Sequence, residues 1–261
     1  MDERHPVTNG YQPEPVLPEQ WSFEEHFQSP YTATGDVDLR PFTSPRHNQR
    51  QTGTCVAQSV VKALEIKRIL QFGREAHVDL SVLAVYYLAR EIQFPPQTHI
   101  DDGTRVSCAC DVLRRFGVPA EADWPFDLNK VNLSPSWLAM RKAYLNKISA
   151  FYRIKSSGQD RVKAVAQAIR SGNPVVYGAV IGSQWRQYRK GDVLGVTPND
   201  DPDKGRHATV LLGIQGDLFI GENSWGNNWG DDGFYLASPE MIASPKAGDF
   251  WVITGSWEGK V

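Results

Sequence analysis

Apolar positions recur at helical spacing through the first half of the chain and collect into short runs rich in β-branched and aromatic residues through the second. Over 55–70, Val60, Val61, Leu64 and Ile69 keep a helical period that faces a core, and Thr54 stands where an N-cap belongs. A second helix is predicted over 80–91, opened by Asp79. A third spans 107–116 and stops at Gly117 and Pro119; a fourth spans 162–170 and stops at Gly172 and Pro174. Beyond Pro174 the segments 175–180, 208–214, 218–222, 233–237 and 250–254 read as strands punctuated by Gly, Asp and Asn. Helices followed by strands make an α+β layout.

Residues 1–37 do not join this pattern. They are polar and carry Pro6, Pro13, Pro15, Pro18 and Pro30, the composition of an extended arm without a core of its own. Within it, Trp21, Phe23 and Phe27 place three aromatics in seven residues, more than a solvated tail needs. Two readings follow: the arm is pinned to the domain surface, or it lies over a cleft in the domain at 38–261.

Composition narrows the function classes. The 261 residues are 41% hydrophobic and 22% charged, with a net charge of −2, so no basic surplus points to nucleic acid or to an anionic membrane. No apolar run approaches the roughly 20 residues that span a bilayer. Three cysteines do not make a disulfide framework, and the start of the chain lacks a signal-peptide pattern. The reading is a cytoplasmic, monomeric protein, with secretion that needs no N-terminal signal as the alternative.

Three positions carry candidate chemistry. Cys55 opens a helix, where the macrodipole and unpaired N–H groups favour a thiolate, and Gly53 allows a tight backbone approach. Alone, such a cysteine is as well explained as a small buried hydrophobe. His207 follows the loop 199–206 and opens an apolar strand, so it is firmly held yet within reach of a cleft, as a proton-shuttling base requires. Asn223 ends the next strand, from which its amide can fix the imidazole, and Trp225 can cover that contact.

These residues resemble the signature of the papain family of cysteine peptidases. Gln49 stands six residues before Cys55, His207 is followed by Ala208, and Asn223-Ser224-Trp225-Gly226 matches the family's Asn-Ser-Trp-Gly block. The separations from Cys55 to His207 and to Asn223 slightly exceed the family's usual ~130–150 residues, as an insertion in the 189–206 loop would produce. The segments 117–126 and 173–176 also resemble the family, so that 38 to about 257 is covered.

The resemblance implies a papain-like fold, with a helical left subdomain carrying Cys55, an antiparallel β-barrel-like right subdomain carrying His207 and Asn223, and the cleft between them. It implies peptide or protein substrates, no cofactor and no metal. In this reading a Cys55–His207 ion pair forms a thioester, and the Gln49 amide and the Cys55 backbone N–H hold the oxyanion. Asp102, Gly103, Arg105, Ala208 and Trp225 are the implied substrate-binding residues. Arg105 suggests tolerance of acidic or polar side chains two residues before the scissile bond, and the arm reads as a propeptide-like intramolecular inhibitor.

The chain departs from papain at Val56, where papain has tryptophan, and at Thr52, which replaces a half-cystine. Both departures suggest a prokaryotic or intracellular branch, including a bacterial one. Cys108 and Cys110 point to different faces of one helix and read as packing residues, not as a zinc site. Two alternatives come from other classes: a Cys–His acyltransferase or transglutaminase-like enzyme, and a catalytically silent binding module.

Overall fold

A computed structural model describes residues 9–27, 34–93 and 95–256; the arm residues at 1–8 and 28–33, including Pro6 and Pro30, lie outside it. Helices are α1 Phe23–His26, α2 Cys55–Phe72, α3 Val82–Ile92, α4 Val106–Arg115, α5 Trp137–Met140, α6 Gly158–Arg170, α7 Ser183–Gln187 and α8 Pro239–Ala243. Strands are β1 Val37–Asp38, β2 Ile148–Arg153, β3 Val175–Ile181, β4 Val193–Leu194, β5 Gly205–Gln215, β6 Leu218–Glu222, β7 Phe234–Ala237 and β8 Ala247–Ser256. The result is the α+β layout that the sequence pattern predicts, in the papain-like arrangement that the resemblance implies.

Helix α2 is the spine. It packs against α3 and α4 on one side and against β5, β8 and β3 on the other. A helix enclosed by two layers needs few solvated positions, and even Gln58, Ser59, Lys62 and Glu65 are buried. Their polar groups are matched: Lys62 Nζ lies 3.2 Å from Glu222 at the end of β6, and Glu65 Oε1 accepts the Leu80 N–H at 2.9 Å. The Lys62–Glu222 pair fastens the helix that begins with Cys55 to the strand that ends beside Asn223.

Eight strands form one sheet in the order β2-β8-β3-β5-β6-β7-β4, with β1 added along β5. Pairing is antiparallel except between β4 and β7. Register places Ala179 opposite His207 and Glu222 opposite Val210, so that His207 and Asn223 meet at one end of β5 and β6.

Some local expectations change. The second helix starts at Val82 and not at 80; Ser81 caps it, its Oγ accepting the Ala84 N–H at 3.3 Å. Thr54 occupies the N-cap of α2, but its hydroxyl makes no capping bond and engages Thr52 Oγ1 at 2.8 Å. The fourth helix begins at Gly158, a full turn earlier than the apolar pattern, and β2 is an element that the pattern did not reveal. Cys110 is buried in the core beside α2, Cys108 is half-buried against it, and all three cysteines are free.

The arm resolves into two parts with different jobs. Trp21, Phe23, His26 and Phe27 gather around Tyr152 of β2: the His26 and Tyr152 rings stack at 4.2 Å, Phe23 and Phe27 at 4.6 Å, and Phe23 is buried. This aromatic hook pins the arm to the outside of the sheet and does not enter the cleft. The cleft is instead occupied by Gly10, Tyr11 and Gln12, as described next.

Candidate active site

Cys55 sits buried in the first turn of α2, and the backbone N–H groups of Ala208, Val56 and Cys55 lie near enough to favour its thiolate. The Ala208 contact spans the two subdomains and brings the His207 strand to the nucleophile. Gly53, two residues upstream, is called for by the space around it. Its φ is unremarkable, but an added Cβ would stand 2.9 Å from both Asp101 Oδ1 and Tyr86 Oη. Asp101 accepts the Gly53 N–H at 2.9 Å and the Tyr86 hydroxyl at 2.6 Å, and Tyr86 Oη in turn accepts the Gly103 N–H at 2.9 Å. This network fixes the loop before Cys55 against the segment that faces it. Sequence reasoning missed Tyr86 and Asp101, whose roles arise only from their juxtaposition.

His207 donates from Nε2 to Asn223 Oδ1 at 2.7 Å, and the same oxygen accepts the Ser224 N–H at 2.8 Å. Nδ1 is buried with no hydrogen-bond partner among the described residues. Trp225 lies beside the imidazole with ring centroids 5.1 Å apart, and Trp185 meets it edge-on at 6.0 Å. Trp229 stacks on Trp185 and donates Nε1 to its backbone oxygen at 2.9 Å. The three tryptophans exclude water from the histidine–asparagine contact. Trp225 therefore walls His207, the covering role that the sequence suggests for it. Trp185 carried no spacing signal that could have found it.

The tryptophan loop is held to the chain before the nucleophile. Gln49 N–H donates to Ser224 O at 2.8 Å, Gly226 N–H to His47 O at 2.9 Å, and Ser224 Oγ to Gln49 Oε1 at 2.7 Å. Gly226 has φ +79, and a Cβ there would stand 2.9 Å from Asn48 Nδ2, so both conformation and space call for glycine. The Gln49 amide, fully buried, also donates to Thr52 O at 2.9 Å. The four residues at 49, 55, 207 and 223 thus come from the loop before α2, its first turn, β5 and the end of β6, and they converge at one place.

That place is covered. A Cβ on Gly10 would fall 2.3 Å from Gly53 O and 2.9 Å from Cys55 Sγ. Gly10 O accepts the Thr104 N–H at 3.1 Å, Gln12 N–H donates to Thr104 O at 3.0 Å, and Tyr11 bridges Thr104 in parallel. Gln12 Nε2 donates to Asp102 O at 2.8 Å. Thr104 is thus the backbone partner of the arm, a residue the sequence reading passed over for Asp102 and Gly103. Gly103, with φ +77, lets Gly10 O approach where a Cβ would stand 2.3 Å away. Arg105 caps α4, and its Nε has no hydrogen-bond partner among the described residues.

Electrostatics follow from that cover. Burial pushes the Cys55 thiol up to about 12, against the pull of the surrounding N–H groups. Burial pushes His207 down to about 4, against the Asn223 hydrogen bond. Burial under the arm therefore favours the neutral thiol and the neutral imidazole.

Residues 34–242 match the model of the papain family cysteine proteases. An uncharacterized peptidase C1-like protein of Acanthamoeba polyphaga mimivirus is 26% identical over 238 residues, 86% of this chain and 76% of its own. Bovine pro-cathepsin H is 26% identical over 75% of this chain, which spans only 56% of that protein. Among solved structures, xylellain, a cysteine protease from Xylella fastidiosa, superposes with a TM-score of 0.81 at 25% identity, covering 96% of this chain and 97% of that one. Procathepsin L 3 from the larval midgut of Tenebrio molitor shares the fold at a TM-score of 0.67 and 19% identity, over 87% of this chain and 72% of its own. With the family match spanning most of the described domain, the chain belongs to the papain family of cysteine peptidases and is a hydrolase of peptide or protein substrates.

Proposed function

We propose that the chain is a latent endopeptidase in which Cys55 attacks the peptide carbonyl, His207 moves the proton, Asn223 orients the imidazole and Gln49 holds the oxyanion. The observation that carries this reading is the convergence of the four at one buried point, with His207 Nε2 committed to Asn223 and Nδ1 left for the thiol. Helix α2 presents its first turn to the sulfur, which favours a thiolate once water reaches the site. The Cys55 sulfur then gives the thioester with loss of the amine, which takes its proton from His207; water, activated by the same imidazole, releases the acid. The Cys55 N–H and the Gln49 amide, held by Ser224 and Thr52, supply the oxyanion donors.

The arm acts in this reading as an inhibitor and not as a substrate. The carbonyl of Gly10, the arm residue against the sulfur, is committed to the Thr104 N–H at 3.1 Å. Release of the arm admits water, removes the burial that holds the pair neutral, and lets the ion pair form.

A panel of dipeptide-aminomethylcoumarin substrates with reductant tests the assignment. Coumarin release by the wild type, abolished in Cys55→Ala with folding retained, is the expected outcome. Release that persists in Cys55→Ala would place the nucleophile elsewhere. Transfer of the acyl group to an added amine in preference to water would favour the acyltransferase reading.

A further inference from the structure

The segment 128–147, between α4 and β2, turns its large apolar side chains outward. In α5 and the turn that follows it, the buried positions are Ala139, Ala143 and Asn146, four and three residues apart along one face. Trp137, Leu138 and Tyr144 lie away from that face and are 79%, 62% and 50% exposed. Packing explains why the inner face is small. Ala143 O accepts the Val118 N–H at 3.1 Å, a Cβ on Gly117 would fall 2.0 Å from that oxygen, and Asn146 Nδ2 donates to Val118 O at 2.8 Å. Backbone and small side chains therefore seat the segment beside the end of α4, and the fold does not call for a tryptophan or a leucine on its outer face. Adjacent exposed side chains of this size mark an interaction surface.

Charge says what that surface meets. Lys130, Arg141, Lys142 and Lys147 fall in the same segment, and the sequence holds no aspartate or glutamate from 128 to 159. The chain as a whole carries a net charge of −2, so this local surplus is hidden in the total, and composition alone points away from an anionic membrane. Arg141 and Lys142 are exposed and follow Trp137 and Leu138 by four residues each, which places a cation beside each apolar side chain. Tryptophan and leucine flanked by long cations, without a carboxylate among them, make the pattern of a segment that rests in the interface of an anionic bilayer. Tryptophan favours the headgroup level, where its ring meets hydrocarbon and its N–H meets water. A protein partner anchors such residues in shaped pockets, whereas a bilayer accepts a side chain that stands clear of the surface, as Trp137 does.

We propose that 128–147 is a docking surface for an anionic lipid bilayer, with Trp137 and Leu138 entering the boundary between headgroups and acyl chains and Arg141 and Lys142 meeting the anionic headgroups. The peptidase is thereby held at a membrane surface without spanning it; among the described residues no helix is long and apolar enough to cross a membrane. The proposal stands on this segment alone and is independent of the assignment of Cys55.

Co-sedimentation of the full chain with phosphatidylcholine vesicles, with and without phosphatidylserine, tests it. Binding is expected only where phosphatidylserine is present, and it is expected to weaken as salt rises. Two double variants, Trp137→Ala with Leu138→Ala and Arg141→Gln with Lys142→Gln, are each expected to lower partitioning about tenfold or more. All four side chains are exposed, so the thermal midpoint of both variants should stay that of the wild type, which separates lost binding from lost folding. No binding to either vesicle, or equal binding to both, would overturn the proposal. Binding to phosphatidylserine vesicles that survives in both variants would place the contact elsewhere on the molecule and overturn it too. A dimer that forms with rising protein concentration and is lost in Trp137→Ala with Leu138→Ala, without any vesicle binding, would assign the face to a second copy of the chain instead.

Discussion

The two side chains that exchange a proton in the proposed reaction are pushed in opposite directions by burial, Cys55 up to about 12 and His207 down to about 4. Histidine ordinarily titrates near 6.5, so between that value and 4 the unfolded chain binds a proton that the folded, arm-covered chain refuses. Stability from this group is present above pH 6.5 and is lost as pH falls through 4, by about 3 kcal/mol in all. The thiol acts at the other end: its folded value lies above its ordinary one, so stability is lost as pH rises past about 9. Denaturant unfolding of wild type and His207→Leu at pH 7 and pH 5 checks the acid side. The wild type is expected to lose more stability than the variant over that interval; equal losses would show that His207 is not buried in its neutral form. At this scale Cys55, His207, Asn223 and Gln49 were legible because each residue type is chemically unusual at its place, and spacing tied them together. Asp249, Arg153, Asp101 and Trp185 were not. Arg153 and Asp249, whose carboxylate accepts the Tyr11 hydroxyl, stand 96 positions apart and meet only because β2 and β8 pair, with Arg153 opposite Trp251.

Among the elements, α2 shows why periodicity locates a helix better than it assigns a face. With α3 and α4 on one side and the sheet on the other, apolar and polar positions alike are buried, and Lys62 and Glu65 find their partners across the interface. The arm shows the converse. Its aromatics attracted attention, and they form the hook on β2, whereas the segment that reaches the sulfur is Gly10 and Tyr11, which carry no pattern on their own. Helix α1 is too short to hold by itself, so the hook depends on packing. Phe23 is 1% exposed, and Phe23→Ala is expected to cost about 3 kcal/mol, as truncation of a buried phenylalanine does. By keeping the cleft segment at high effective concentration, the hook also sustains cover, so the same variant is expected to react faster at Cys55. Thermal unfolding and epoxide labelling read the two effects; an unchanged midpoint would mean that the hook does not contribute to the fold.

Across the whole molecule, one sheet and one buried helix bring together the residues proposed to react, and Gly10 and Tyr11 of the arm lie over them. The fold was legible because helices and strands segregate along the sequence, and the family because its motifs survive at separations stretched only slightly. The cover was legible only as one of two possibilities, since it depends on backbone pairing of Gly10 and Gln12 with Thr104, which any residues could make. In the proposed reading Cys55 is a peptidase nucleophile kept inert by Gly10 and Tyr11. The measurement that tests this most directly is the rate at which an E-64-type epoxide adds to the protein, with the modified residue located by mass spectrometry, in wild type and Gly10→Val. A single adduct on Cys55 is expected, forming about tenfold faster or more in Gly10→Val. Equal rates in the two proteins, or an adduct on Cys108 or Cys110, would contradict it.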